Sequence, residues 1–183
     1  MRSRRSLREG TWRNDLHLRR GVKRLLRDLD VDTPLDVHDL CLKLAEHRGR
    51  PIELVPYPLP VPGAFGLWIA FADADRILYQ QHTTTAHQDH IILHEVGHMI
   101  SGHSTEGGAT GLAALFPDIP AEVVRDALRR DGYSLVAERE AEMVATVIKE
   151  WATLLEALKF SPVQTSKAGR RLHGAFDDHQ GWL

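Results

Sequence analysis

Cysteine is nearly absent from this 183-residue chain, since Cys41 is the only one. An internal disulfide and a zinc site built from several thiolates are therefore both excluded. We interpret Cys41 as a small buried residue on a helix. Any zinc ion would have to be bound by histidine and carboxylate side chains, and the chain contains 11 histidines.

Long apolar runs are also missing. No run is long enough to span a bilayer, and the basic N-terminus is not followed by the apolar segment of a signal peptide. The net charge of -2 is close to zero, so bulk charge indicates neither a nucleic-acid partner nor a membrane surface. We therefore expect a cytoplasmic protein that does not bind membranes.

Positive charge is concentrated at the N-terminus, where residues 1–27 carry ten Lys or Arg against Glu9 and Asp15. A solvated arm is the commoner explanation for such a charge run. We interpret residues 1–30 as a basic arm whose second half is a helix, because leucine and valine recur there from Leu16 to Leu29. The arm has no recognisable groove-inserting motif, so we expect no direct nucleic-acid binding.

The rest of the chain is long enough for one compact core, with 43% hydrophobic residues. We predict a single domain over residues 31–160 and a C-terminal tail over 161–183. The fold class is α+β, with a small antiparallel sheet packed on a bundle of helices. Predicted helices cover 35–47, 85–100, 120–132 and 134–160, predicted strands cover 51–57, 65–71 and 76–80, and a glycine-rich loop covers 103–111.

The helix over 85–100 contains His94-Glu95-Val96-Gly97-His98. Thr85 followed by Gln88 predicts a capping box at its start, and Gly102 predicts its end. At about 100° per residue, His94 and His98 lie roughly 40° apart on one helical face. This spacing is the HExxH zinc motif, in which the histidines bind the ion and the glutamate acts on a water molecule. From composition alone, roughly 0.04 such matches are expected by chance.

A catalytic zinc ion usually has three protein ligands and one open position, so a third ligand is required. His103 is one candidate, but the longer motif with a third histidine would place it at position 104. His90 lies on the same helical face but too far from His98 to share a tetrahedral ion easily. Glu138 is the better candidate, because it is the carboxylate closest to the apolar direction of the next long helix. We therefore predict His94, His98 and Glu138 as the metal ligands.

Other polar side chains are expected to surround the ion without binding it. Glu142, one turn after Glu138, is predicted to accept a hydrogen bond from the outer N–H of a ligand histidine. Glu140 lies well to the other side of the helix, and we interpret it as a solvated carboxylate. Further candidates for supporting positions, including donors to a developing oxyanion, are His87, His90, His103 and Tyr133.

HEVGH after a hairpin strand, followed by Glu-x-Glu-Ala-x-x-x-Ala over residues 138–145, resembles the ImmA/IrrE family of bacterial metallopeptidases. The short chain looks like the actinobacterial members of that family. The family pattern is similar to HELGH followed by Glu-x-Glu/Gln-Ala-Asn-x-Phe-Ala. The resemblance covers roughly residues 35–155 and is specific at these two motifs. The chain departs from the pattern at Glu142, where Asn or Asp is usual, and at Val144, where Phe is usual.

The resemblance implies a zincin-like fold in which His94, His98 and Glu138 bind Zn2+ and Glu95 is the catalytic carboxylate. It also implies an endopeptidase that cleaves or antagonises a helix-turn-helix transcriptional repressor and so controls stress-response genes. In that chemistry Glu95 takes a proton from water and passes it to the leaving nitrogen. We expect an extended protein substrate to add as a strand along residues 65–71.

A hypothesis of another class remains open. The chain would then be a non-catalytic, metal-containing protein that regulates a partner by sequestering it. The two hypotheses differ at Glu95, because replacing this carboxylate should abolish cleavage but leave sequestration intact.

Overall fold

The computed structural model describes residues 4–59, 65–71, 73–103 and 134–159. These residues form four helices and a three-stranded sheet, so the predicted α+β class is confirmed. The elements are α1 (Arg4–Asp28), α2 (Val37–Arg48), β1 (Ile52–Tyr57), β2 (Gly66–Ala70), β3 (Asp75–Gln80), α3 (Thr85–Ser101) and α4 (Leu135–Lys159). The predicted helix over 120–132, the predicted loop after His103, Tyr133 and the predicted tail over 161–183 lie outside the described residues.

The central strand of the sheet is β3, in the order β1-β3-β2. β2 and β3 form the predicted antiparallel hairpin, in which the N–H of Phe71 donates to the carbonyl of Ala74 at 2.8 Å. The prediction of an antiparallel sheet is wrong for β1, which runs parallel to β3. The reason is that β1 and β2 lie on opposite edges of β3, so the chain crosses the sheet between them instead of forming a hairpin. Pro56 is accommodated because β1 is an edge strand.

The N-cap of α3 is Thr84, one residue before the predicted cap at Thr85. Thr84 has extended backbone angles, and its hydroxyl accepts the N–H of His87 at 3.3 Å. The prediction of a capping box at Thr85 is wrong, because Thr84 is the N-cap and the side-chain amide of Gln88 donates to the carbonyl of Gln81 at 3.0 Å instead of accepting from a cap N–H. Thr84 and Thr85 are both residue types favoured at an N-cap, and the backbone conformation decides between them. The predicted end at Gly102 is confirmed, with a left-handed φ of 69°.

One hydrophobic core joins all four helices to the sheet. The helix predicted in the second half of the basic arm is confirmed, and it buries Val22 and Leu26 in the same core as Ile92 of α3 and Trp151 of α4. Cys41 is buried on α2, as predicted. Within the described ranges, no helix combines the length and the apolar character needed to cross a bilayer.

α3 and α4 pack with their backbones in contact. A Cβ atom added to Gly97 would lie 2.5 Å from the carbonyl oxygen of Ala141 and 2.8 Å from its Cα. Ala141, Val144, Ala145 and Ile148 form the buried face of α4. Gly97 is therefore required by space, because any side chain there would push the two helices apart.

Replacing Gly97 with alanine should lower the free energy of unfolding by about 1–3 kcal/mol, the usual cost of an added methyl in a filled core. The matched control is Gly21→Ala, because a Cβ at Gly21 would meet nothing within 4 Å. This control should be more stable than wild type by about 0.5–1 kcal/mol, since alanine favours a helix over glycine. Urea unfolding of the metal-free proteins measures both values. Wild-type stability in Gly97→Ala would contradict the close packing.

Candidate metal centre

Three side chains predicted as metal ligands converge at the junction of α3 and α4. The Nε2 atoms of His94 and His98 lie 3.1 Å apart. Glu138 places Oε2 at 3.2 Å from Nε2 of His94 and Oε1 at 3.8 Å from Nε2 of His98. A tetrahedral zinc ion with bonds of about 2.0–2.1 Å holds its ligand atoms about 3.3 Å apart. The three side chains therefore fit one such ion, since one ligand atom from each lies within 4.8 Å of the others.

The packing of the two helices explains this convergence. His94 and His98 are one turn apart on α3, and Gly97 between them contacts Ala141. Glu138 is one turn before Ala141 on α4, so it faces the two imidazoles across the contact. Among the described residues, His98 is fully buried while the side chain of Glu138 is 45% exposed. The cluster is thus open on the Glu138 side, which suits a catalytic site more than a closed structural one.

The imidazole of His98 is held in the form that binds metals. Burial, together with the neighbouring rings of His94 and His103, lowers the pKa of His98 to about 3. His98 is therefore neutral near pH 7, with a lone pair on one ring nitrogen. A metal ion could therefore bind to His98 without first displacing a proton from a cationic ring.

The outer nitrogen of His94 faces the carboxylate predicted to support a ligand. Nδ1 of His94 lies 3.4 Å from Oε2 of Glu142, and the same oxygen lies 3.5 Å from Nε2 of His90. His90 in turn lies 3.1 Å from Nζ of Lys149, and burial together with this ammonium lowers the pKa of His90. Glu142 and His90 thus flank His94, and neither belongs to the group that fits the ion.

The structure places His87 away from this cluster. Its Nδ1 atom lies 2.9 Å from the hydroxyl of Thr83, and its ring lies 5.2 Å from the ring of Phe65. His87 therefore supports the first turn of α3 beside the hairpin. Tyr133, the other residue considered for a supporting position, lies outside the described residues.

The interpretation of Glu140 as a solvated carboxylate is wrong. Its Oε2 atom lies 3.0 Å from Nε2 of His103, and its side chain is only 25% exposed. Nδ1 of His103 lies 3.0 Å from Nδ1 of His98. His103 is therefore no third ligand but a link between His98 and Glu140. The periodicity of α4 could not reveal this, because it describes the helix face and not the segment that covers it.

Glu95 follows His94 on α3 and is buried, with only 5% of its surface exposed. The backbone N–H of Trp68 in β2 donates to its Oε2 atom at 3.0 Å. Burial raises the pKa of Glu95 to about 8; the Trp68 hydrogen bond opposes this rise, and the charge of Glu138 adds to it. Gly66 allows the strand to approach so closely, because a Cβ there would lie 2.5 Å from Oε1 of Glu95. Sequence reasoning missed both contacts, although a glycine at the start of a strand signals a close backbone approach.

Comparison of the chain with models of known protein families, with curated proteins and with solved structures found no match. Function must therefore be argued from the residues and the geometry of this site.

The buried carboxylate of Glu95 should make the stability of the metal-free protein depend on pH. Its folded pKa of about 8 is above the ordinary value of 4.5, so the favourable protonated state is fully present below pH 4.5. It is lost as the pH rises towards 8, because ionisation is easier in the unfolded chain. Between these limits, wild type should lose on the order of 3 kcal/mol relative to Glu95→Gln. Urea unfolding at several pH values measures this difference.

Glu156→Gln is the matched control, because Glu156 is an exposed glutamate on α4. Its unfolding free energy should follow that of wild type across the same pH range. Parallel curves for wild type and Glu95→Gln would show that Glu95 is not held in a desolvated position.

Proposed function

We propose that this protein is a zinc-dependent endopeptidase. The observation that carries the proposal is the convergence of His94, His98 and Glu138 around a common point that the described residues leave open on the Glu138 side, with the buried carboxylate of Glu95 next to His94 in the chain. A structural zinc site would have four protein ligands and no need for an adjacent acid. The arrangement of three ligands, an open position and a carboxylate is typical of metallopeptidases.

The donor atoms favour zinc over other divalent ions. Two imidazole nitrogens and one carboxylate oxygen suit Zn2+, whereas Mg2+ and Ca2+ prefer sites made of oxygen atoms. When bound, a zinc ion would lower the pKa of a water molecule to about 7 and polarise a peptide carbonyl. The residues that would hold it are His94, His98 and Glu138.

Glu95 would move the proton in this reaction. It follows His94 directly in the chain, and its carboxylate, which the charge of a nearby Zn2+ ion would keep ionised, would receive a proton from the attacking water. The N–H of Trp68 holds Oε2 at 3.0 Å and thereby fixes the orientation of the carboxylate. Glu95 would then donate the proton to the amine nitrogen that leaves as the peptide bond breaks.

An extended substrate would bind along the outer edge of β2. Phe65 and Phe71 form backbone hydrogen bonds with β3, so the alternate residues Gly66, Trp68 and Ala70 direct theirs away from β3. The N–H of Trp68 reaches Glu95, which places this edge beside the catalytic carboxylate. A peptide added here as a further strand would have its backbone close to the metal centre.

The resemblance to the ImmA/IrrE family suggests the substrate class. We propose a cytoplasmic helix-turn-helix transcriptional regulator, which the protein would inactivate by cleavage. Strand addition at the outer edge of β2 would also support the alternative, a regulator that sequesters its partner without cutting it, because strand addition needs no chemistry. The two functions differ in whether the carboxylate of Glu95 is required.

Removing the Glu138 carboxylate should weaken zinc binding strongly. The purified wild-type protein should contain about one zinc ion per chain after dialysis, and Glu138→Ala should contain almost none, because two ligands cannot hold the ion alone. Elemental analysis of the dialysed proteins measures the ratio. Glu156→Ala is the control on the same helix and should retain the metal. Equal zinc content in both variants would remove Glu138 from the site.

Glu95→Gln should retain zinc and lose peptidase activity by at least about 10²-fold, since a glutamine cannot transfer the proton. The measurement is mass spectrometry of new protein N-termini in cells that express wild type or Glu95→Gln. New N-termini within a helix-turn-helix regulator should appear only with wild type. A regulatory effect of equal size in both, without new N-termini, would favour sequestration.

A further inference from the structure

We propose that His103 and Glu140 form a positioning pair that holds His98 in the one tautomer able to bind the metal ion through Nε2. This inference rests on the proposed metal site, and it adds two residues that the sequence motifs do not include. The pair would act through His98 and would not touch the ion.

The end of α3 brings His103 to His98. Gly102 adopts the left-handed conformation, its N–H donates to the carbonyl of Met99, and the N–H of His103 donates to the carbonyl of His98 at 3.0 Å. These two bonds define a Schellman motif, in which the second residue after the helix packs its side chain against the last turn. In most proteins both side chains of this contact are apolar. Here they are His98 and His103, whose ring centroids lie 5.1 Å apart.

The order of hydrogen bonds follows from the chemistry of the groups. A carboxylate oxygen only accepts, so in neutral His103 the contact of 3.0 Å with Glu140 requires the ring proton to be on Nε2. Nδ1 of His103 is then an acceptor and lies 3.0 Å from Nδ1 of His98. The proton of His98 must therefore be on Nδ1. Its Nε2 atom is left with a lone pair directed at His94 and Glu138.

Burial makes this control necessary for His98. A neutral imidazole can carry its proton on either nitrogen, and a proton on Nε2 would block metal binding. The side chain of His98 is 1% exposed, so bulk water has little access to its outer nitrogen. Glu142 faces His94 directly, whereas Glu140 reaches His98 through His103. The Nδ1 atoms of His94 and His98 are thus each linked to a carboxylate of α4, the first directly and the second through His103.

The tautomer of His98 can be read in the metal-free protein by two-bond nitrogen–proton NMR spectra. Wild type should show His98 protonated on Nδ1 and His103 protonated on Nε2. In His103→Phe, which keeps a ring but has no acceptor, His98 should lose this fixed tautomer. A wild-type spectrum with the His98 proton on Nε2, or no change of tautomer in His103→Phe, would overturn the proposal. This measurement is valid whether or not the protein proves to be a peptidase.

Zinc affinity provides the second readout, measured by competition with a chromophoric chelator. His103→Phe and Glu140→Leu should each bind zinc about 10–100-fold more weakly than wild type. The double variant should bind no more weakly than His103→Phe alone, because Glu140 acts through His103. Glu140→Gln, whose amide oxygen can still accept from His103, should recover much of the affinity.

Unfolding of the metal-free variants separates positioning from a general loss of structure. A lower free energy of unfolding with unchanged zinc affinity and an unchanged His98 tautomer would mean that the pair is only structural, and the proposal would fail. Additive losses of affinity in the double variant would also contradict it, since two independent contacts would then be at work.

Discussion

The contact between Gly97 and Ala141 determines how closely α3 and α4 approach, and the candidate metal centre depends on that distance. A Cβ atom on Gly97 would lie 2.5 Å from the backbone of Ala141, so the helices touch without an intervening side chain. The two histidines lie within one turn of Gly97, and Glu138 lies one turn before Ala141. A larger residue at Gly97 or Ala141 would push the helices apart and move Glu138 away from the two imidazoles. The small residues Gly97 and Ala141 are therefore needed both for helix packing and for the placement of the three candidate ligands.

Features that depend on neighbouring residues could be predicted from the sequence, and features that depend on distant ones could not. Helical spacing predicts that His94 and His98 lie on one face of α3, and Gly102 predicts where this helix ends. The direction of Glu138 follows from the apolar face of α4. The parallel placement of β1 depends on where the chain crosses the sheet after Tyr57, and the residues of β1 do not encode that crossing.

Glu140 shows the same limit within the site. Its direction on α4, away from the predicted ligand Glu138, is compatible with solvent, and periodicity alone predicts a solvated side chain. The C-terminal turn of α3 places His103 over it, at 3.0 Å. The position of His103 could have been deduced from Gly102, because a Schellman motif directs the following residue back onto the helix. The sequence signal, Gly102, thus lies at the end of α3, whereas Glu140, the residue whose environment it determines, lies on α4.

The two buried carboxylates, Asp75 and Glu95, differ in the partners that surround them. Asp75 is 1% exposed and is fully paired, with Arg48 at 2.7 Å, Arg50 at 3.1 Å and the indole N–H of Trp68 at 3.2 Å. Glu95 is equally buried, but among the described residues its hydrogen bond comes from one backbone N–H, and its pKa is raised to about 8. An acid without a cationic partner costs stability, and a glutamine would accept the same bond without that cost. In the proposed reaction a glutamine could not replace Glu95, because only the carboxylate can accept and release a proton.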